Sequence, residues 1–138
     1  MRKILGLDYG EKRIGLAISS EDGRYAFAYQ TLETSDKLDL FQKLVAICAK
    51  EDINTIVVGL PLNQNGTVGK EAGNVQKFIQ ELKEYLEIPI EFEDERFSSA
   101  LASQLFREAG KTEKEARITI DQKSAQLILQ TYLDKKNV

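Results

Sequence analysis

Three acids stand apart by position. Asp8 closes the apolar stretch Ile4-Leu5-Gly6-Leu7, and Glu95 closes a later one in Phe92-Glu93-Asp94-Glu95. Asp121 opens the last helical stretch, with Ser124, Ala125 and Ile128 on the same side one and two turns later. Small residues there would let a helix carry its acid close to a sheet. Carboxylate oxygens suit hard divalent cations such as Mg²⁺. Two such ions about 3.5 to 4 Å apart can activate a water and stabilise the leaving oxygen of a phosphodiester. Each acid also has a plainer reading, since the chain has 22 acidic residues. Glu95 can be a solvated strand end, and Asp8 can initiate a turn.

What is missing narrows the chemistry. There is no histidine and one cysteine, Cys48, so a Cys/His zinc site, a disulfide framework and a Ser-His-Asp triad are excluded. Cys48 lies on the apolar stripe of a helix and reads as core. The net charge of −3 and a sequence pI of about 5.1 argue against a polyanion binder held by overall charge. The acidity is concentrated in residues 31–95, with 6 basic against 13 acidic residues, which leaves room for a basic surface elsewhere.

Weaker features adjoin the acids. Gly59-Leu60-Pro61-Leu62-Asn63-Gln64-Asn65-Gly66-Thr67 follows a strand and leads into a helix. Asn65-Gly66 suits a tight turn and Thr67 suits a helix cap, which is one reading. The other is that Asn63 and Thr67, with backbone N–H groups at the helix start, meet a phosphate. Arg96 is either the ion-pair partner of its neighbour Glu95 or a phosphate ligand. Residues 110–117, with Lys111, Lys114 and Arg117 among Glu113 and Glu115, read as a solvated loop.

The elements that must position these groups follow from periodicity. A length of 138 residues, without repeats or linkers, is one domain over 1–138. Ile4 to Asp8 is a buried strand, and Ile14, Leu16 and Ile18 alternate with Gly15, Ala17 and Ser19 in a second, whose small-residue face admits a close neighbour. Tyr25, Phe27 and Tyr29 mark a third, so short turns join the three into an antiparallel meander. Leu40, Phe41, Leu44, Val45 and Cys48 form a helix capped by Ser35 or Asp36. Thr55 to Gly59 has the character of a central parallel strand. Val75, Phe78, Ile79, Leu82 and Leu86 mark a second helix, and Ile88, Ile90 and Phe92 a fifth strand started by Pro89. Helices over Ser98 to about Ala109 and about Ile120 to Leu133 close the chain. The result is an α/β fold, a mixed five-stranded sheet with its second strand antiparallel and helices on both faces. Ligands collect at the carboxyl ends of such strands, where Asp8 and Glu95 belong. No apolar run approaches the roughly 20 residues of a membrane span, and Asp8 interrupts any signal-like start, so a cytoplasmic protein without membrane contact is expected.

Five motifs in order resemble the YqgF family: Ile4-Leu5-Gly6-Leu7-Asp8-Tyr9-Gly10; Lys12-Arg13-Ile14-Gly15-Leu16-Ala17; Gly59-Leu60-Pro61-Leu62-Asn63 with Gly66-Thr67; Asp94-Glu95-Arg96; and Ile120-Asp121 with Ser124-Ala125 to Ile128-Leu129-Gln130. The family is described as Holliday junction resolvases and as nucleases for the 5′ end of pre-16S rRNA. The resemblance implies a ribonuclease-H-like fold with sheet order 3-2-1-4-5. It also implies bacterial cytoplasmic location and metal-dependent phosphodiester hydrolysis with Mg²⁺ or Mn²⁺, as two ions on Asp8, Glu95 and Asp121, the catalytic acids. It further implies substrate contacts at Lys12, Arg13, Asn63, Thr67, Arg96, Ser98 and Lys123. The expected partner is structured RNA, namely pre-16S rRNA, ahead of a DNA junction, bound by a monomer or weak homodimer. Two departures stand out: Phe97-Ser98-Ser99 replaces the family's Leu-Thr-Thr, keeping the hydroxyls, and Glu115 to Ile120 lacks the usual run of basic residues.

Two rivals belong to other classes. Asp8-Tyr9-Gly10-Glu11-Lys12-Arg13-Ile14-Gly15 also resembles the first phosphate loop of actin-like and sugar-kinase ATP-binding domains, although these clasp nucleotide between two domains and this chain has the length of one. The second is a non-catalytic RNA-binding module on the same fold.

Overall fold

The computed structural model describes residues 3–94 and 113–137, with side chains in the last helix described from Lys123 onward. Strands β1 (Lys3–Tyr9), β2 (Arg13–Ser19) and β3 (Ala26–Glu33) form the meander. Helix α1 (Lys37–Lys50), strand β4 (Ile53–Leu60), helix α2 (Lys70–Leu82), strand β5 (Ile90–Asp94) and helix α3 (Glu113–Lys136) follow. The sheet order is β3-β2-β1-β4-β5. β2 is antiparallel to both neighbours, whereas β1, β4 and β5 run parallel. The expected mixed sheet and its order are therefore observed.

Alternation along β1 divides the core in two. Leu5 and Leu7 pair across the sheet with Ile18 and Leu16 and face the layer containing Leu40, Phe41 and Leu44 of α1 and Val75, Phe78, Ile79 and Leu82 of α2. Ile4, Ala17 and Val57 face the opposite layer with Ala125, Ile128, Leu129 and Leu133 of α3. Each fully buried Leu or Ile in this second interface contributes about 1.5 to 3 kcal/mol. The small face of β2 admits α3, as its Gly15 and Ala17 foreshadow.

Several local expectations are corrected. The last helix begins at Glu113, not near Ile120, so residues 113–117 are helical and not a loop. Glu, Lys, Ala and Arg are strong helix formers, and they outweigh the β-branched Ile118-Thr119-Ile120 that follows. Of the two expected caps of α1, Asp36 serves, accepting from the Asp39 N–H at 3.1 Å. Thr67 does not cap α2; the N-cap is Gly69, without a side-chain bond. α2 ends at Leu82, so Leu86 lies beyond it, although it still packs on the core. β5 starts at Ile90, which leaves Ile88 outside.

β3 also departs from simple alternation. The register slips between Leu16, opposite Gln30, and Ala17, opposite Ala28, which leaves Tyr29 as an extra residue. The Tyr29 hydroxyl donates to Glu51 at 2.9 Å, Phe27 is exposed on this edge strand, and Tyr25, expected in it, lies exposed just before it. The expected helix from Ser98 to about Ala109 lies outside the described residues.

Candidate active-site cleft

Asp8 occupies the last turn of alternation on the α3 face of β1, two residues beyond Gly6. The contact at Gly6 sets how close α3 comes. A Cβ there would stand 2.8 Å from the Leu129 Cβ and 3.1 Å from the Ala125 carbonyl oxygen. From this contact α3 runs toward the amino end of β1: Gln130 accepts from the Ala26 N–H at 2.9 Å, and Asn137 donates to the Gly23 carbonyl. Four residues back along a helix is about 6 Å and two residues on along a strand is about 6.6 Å. Position 121 lies about one turn before Ala125 on α3, toward the carboxyl end of β1. Ser124 and Ala125 are buried against the sheet, in keeping with their size. The side chain of Asp121 lies outside the described residues, as do Glu95, Arg96 and Ser98.

The parallel strands end at one edge. Leu7 is level with Val58, and Val58 with Phe92, while Gly59 pairs with Glu93 and Leu60 with Asp94. β4 ends in Gly59-Leu60, followed by Pro61, and contributes no acid at this edge. Glu93 is buried and engaged by the Lys135 ammonium.

A cleft of about 310 Å³ opens at the ends of β1 and β4, lined by Asp8, Tyr9, Gly10, Glu11, Pro61, Glu71, Asn74 and Val75. Its rim on one side is the β1–β2 turn, which is closely tied. The Gly10 N–H donates to the Arg13 carbonyl at 2.9 Å, and a Cβ at Gly10 would stand 2.7 Å from that oxygen. Thr34 holds the turn from outside, its N–H donating to the Lys12 carbonyl at 3.1 Å and its hydroxyl to the Glu11 carbonyl. The other rim is the first turn of α2, where Glu71 and Asn74 sit three residues apart and share a helix face. A second depression of similar size shares Tyr9, Glu11 and Asn74 and extends the groove to Lys37, Lys77 and Glu81.

The other expected site residues fall out differently. Lys12 and Lys123 are exposed, and Arg13 is half-buried at the start of β2. Asn63 and Thr67 bond to each other: the Asn63 amide donates to the Thr67 hydroxyl at 3.0 Å, and that hydroxyl donates to Asn65 at 2.6 Å. The Asn63 side chain also fills the space beside Gly69, where a Cβ would meet it at 2.7 Å. Both residues knit their own loop and do not line the cleft.

Glu11, Glu71 and Asn74 were not singled out by sequence reasoning. Their only signal is position, in the turn after β1 and the first turn of the helix after β4. Among the described residues no three His, Cys, Asp or Glu side chains converge to hold a metal. Asp8 is one hard oxygen donor at the strand edge, a chemistry that fits Mg²⁺ or Mn²⁺. Cys48 is buried and its thiol is pushed up to about 11 by burial, as befits a core residue.

The chain is similar to known proteins. A protein of Syntrophomonas wolfei named "Putative pre-16S rRNA nuclease" is 42% identical over 132 residues, covering 96% of this chain and 94% of its own. One of the same name from Bacteroides thetaiotaomicron is 37% identical, covering 99% of each chain. Among solved structures, RuvC of T. thermophilus in complex with a Holliday junction substrate superposes with a TM-score of 0.57 at 10% identity, over 99% of this chain and 96% of that one. The Fowlpox virus resolvase bound to Holliday junction DNA gives 0.59 at 9% identity, over 97% and 98%. At such identities these two establish the fold alone. The model of the RuvX family, described as Holliday junction resolvase, matches residues 2–135, and the chain belongs to that family, the one that the five motifs resemble.

Proposed function

We propose that this chain is a single nuclease domain over residues 1–138 that hydrolyses phosphodiester bonds in structured nucleic acid, at the carboxyl edge of the sheet. The observation that carries the reading is Asp8, an acid at the end of the central strand, opening into a cleft on a fold shared with junction resolvases. Family membership and relatives named for pre-16S rRNA favour the 5′ end of that RNA as substrate. A four-way DNA junction is the second reading, favoured by the description of the family.

Asp8, Glu95 and Asp121 are the proposed ligands of two divalent ions, Mg²⁺ or Mn²⁺. The ions would supply water activation and charge neutralisation at the leaving oxygen. Asp8 lies at the sheet edge, and Asp121 belongs to α3 about one turn before the Ala125 that packs on Gly6. Glu95 follows the strand that ends at Asp94. Lys12, Arg13, Arg96, Ser98 and Lys123 supply cations and a hydroxyl for phosphates. Asn63 and Thr67 act on this reading through the shape of their loop. The expected compartment is the cytoplasm, where rRNA is processed; no described helix is long and apolar enough to cross a membrane.

The test is cleavage of a pre-16S 5′ leader and of a four-way DNA junction with Mg²⁺ or Mn²⁺. Asp8→Asn, Glu95→Gln and Asp121→Asn should each lower the rate by at least about a hundredfold. Full activity in all three variants would sink the assignment. Preference for the junction, with two symmetric cuts by a dimer, would select the second reading.

A further inference from the structure

We infer that the cleft beside Asp8 is a subsite for one unpaired nucleobase of the substrate strand, with guanine the base it reads best. The inference rests on the nuclease reading for the origin of that base, but its evidence is the cleft itself.

The lining has the mixed character of a base pocket. Pro61 and Val75 are apolar, Tyr9 is aromatic, Glu71 and Asn74 share one face of α2, and Asp8 and Glu11 add two further carboxylates. The volume of about 310 Å³ lies at the small end of the range for ligand sites and suits a single base. Tyr9 is held rigidly. Its ring lies 4.7 Å from Phe78, Phe78 lies 5.4 Å from Phe41, and Phe41 lies 4.8 Å from Tyr85, all between 18° and 33° of parallel. This aromatic row ends at the cleft, where an unstacked base would extend it. Stacking on such a platform is how single-stranded nucleic acid is bound without regard to sequence.

The polar groups add selection. A carboxylate such as Glu71 only accepts hydrogen bonds, whereas the Asn74 amide both donates and accepts. Guanine offers two adjacent donors, N1–H and the 2-amino group, beside the acceptor O6, which matches that pair. Uracil sets its one donor between two acceptors, which a carboxylate disfavours. Beyond the cleft, the shared groove holds Lys37, paired with Glu81 at 3.4 Å, and Lys77, past which the strand that continues from the base would run.

The experiment uses the full chain and uridine nonamers carrying a central guanosine, inosine, adenosine or cytidine, with binding read by fluorescence anisotropy in chelator so that no cleavage occurs. The guanosine strand should bind about tenfold more tightly than all-uridine, with inosine intermediate because it lacks the 2-amino group. Glu71→Gln should erase the preference, and Asn74→Ala should reduce it. Glu71 is exposed and Asn74 half-buried, so both variants should fold, checked by circular dichroism. Equal affinity for all strands, or a guanosine preference that survives in Glu71→Gln, would overturn the inference. Cleavage of the pre-16S leader and the four-way junction with Mn²⁺ separates the two readings. Asp8-dependent cutting without base preference removes the subsite alone. A guanosine preference without Asp8-dependent cutting upholds the subsite and removes the nuclease assignment.

Discussion

Gly6 of β1 and Leu129 of α3 meet so closely that a methyl group on Gly6 would stand 2.8 Å from the Leu129 Cβ. Backbone, not flexible side chain, lies on the other side, since the Ala125 carbonyl oxygen would be 3.1 Å away. Neither partner can turn aside. The contact fixes the height of α3 over the sheet.

Gly6→Ala should therefore destabilise the fold by about 1 to 3 kcal/mol, the usual range for overpacking a tight core. Gly73→Ala should do the opposite. Gly73 lies inside α2 with nothing within 4 Å of its missing Cβ, so alanine should stabilise by about 1 kcal/mol through helix propensity. Urea midpoints of the two variants against the parent chain check both signs.

Tyr132 provides a prediction at alkaline pH. Burial, the hydrogen bond to Glu91 and the charges of Glu91 and Glu93 push its hydroxyl up to about 12, from an ordinary 10. The fold thus disfavours the tyrosinate. Its contribution to stability is complete below pH 10 and is lost as the pH rises from there through about 12. Spectrophotometric titration of the five tyrosines should show a late component that Tyr132→Phe removes.

Cys48 should be nearly inert in the native protein. Desolvation raises its thiol to about 11, so little thiolate exists at neutral pH, and the side chain is buried among the residues of α1. Reaction with a disulfide reagent at pH 8 should be slow until the chain is unfolded in urea. Rapid labelling of the native protein would show that α1 opens readily.

Nuclease activity should vanish in chelator and return with Mg²⁺ or Mn²⁺. Because the chain has no histidine, the pH–rate profile should contain no titration arising from an imidazole. A bell-shaped profile removed by no carboxylate substitution would contradict the assignment.

Local sequence carried much of this architecture. The alternation of Ile4, Gly6 and Asp8 against Leu5 and Leu7 depends only on the two-residue period of a strand, so it could be read before any packing was known. The small residues Gly15, Ala17, Ser124 and Ala125 announced a close helix–sheet contact in the same way. The existence of the Lys70–Leu82 helix was legible from the spacing of Val75, Phe78, Ile79 and Leu82, but its end and its cap were not. Gly69 caps it because Asn63 already fills the neighbouring space, a contact six residues away in the chain.

The sequence by itself determined which residue types were available and which strand would present Asp8, because strand periodicity and composition are local properties. It excluded imidazole and zinc chemistry by the same means. Only the tertiary structure decided which groups gather at the strand end beside Asp8. Glu71 and Asn74 reach its cleft because the α2 core residues Val75, Phe78, Ile79 and Leu82 pack that helix onto the sheet layer it shares with Tyr9. A helix packed by its apolar face brings its first-turn polar residues wherever the sheet edge lies, and no spacing in the sequence encodes that distance.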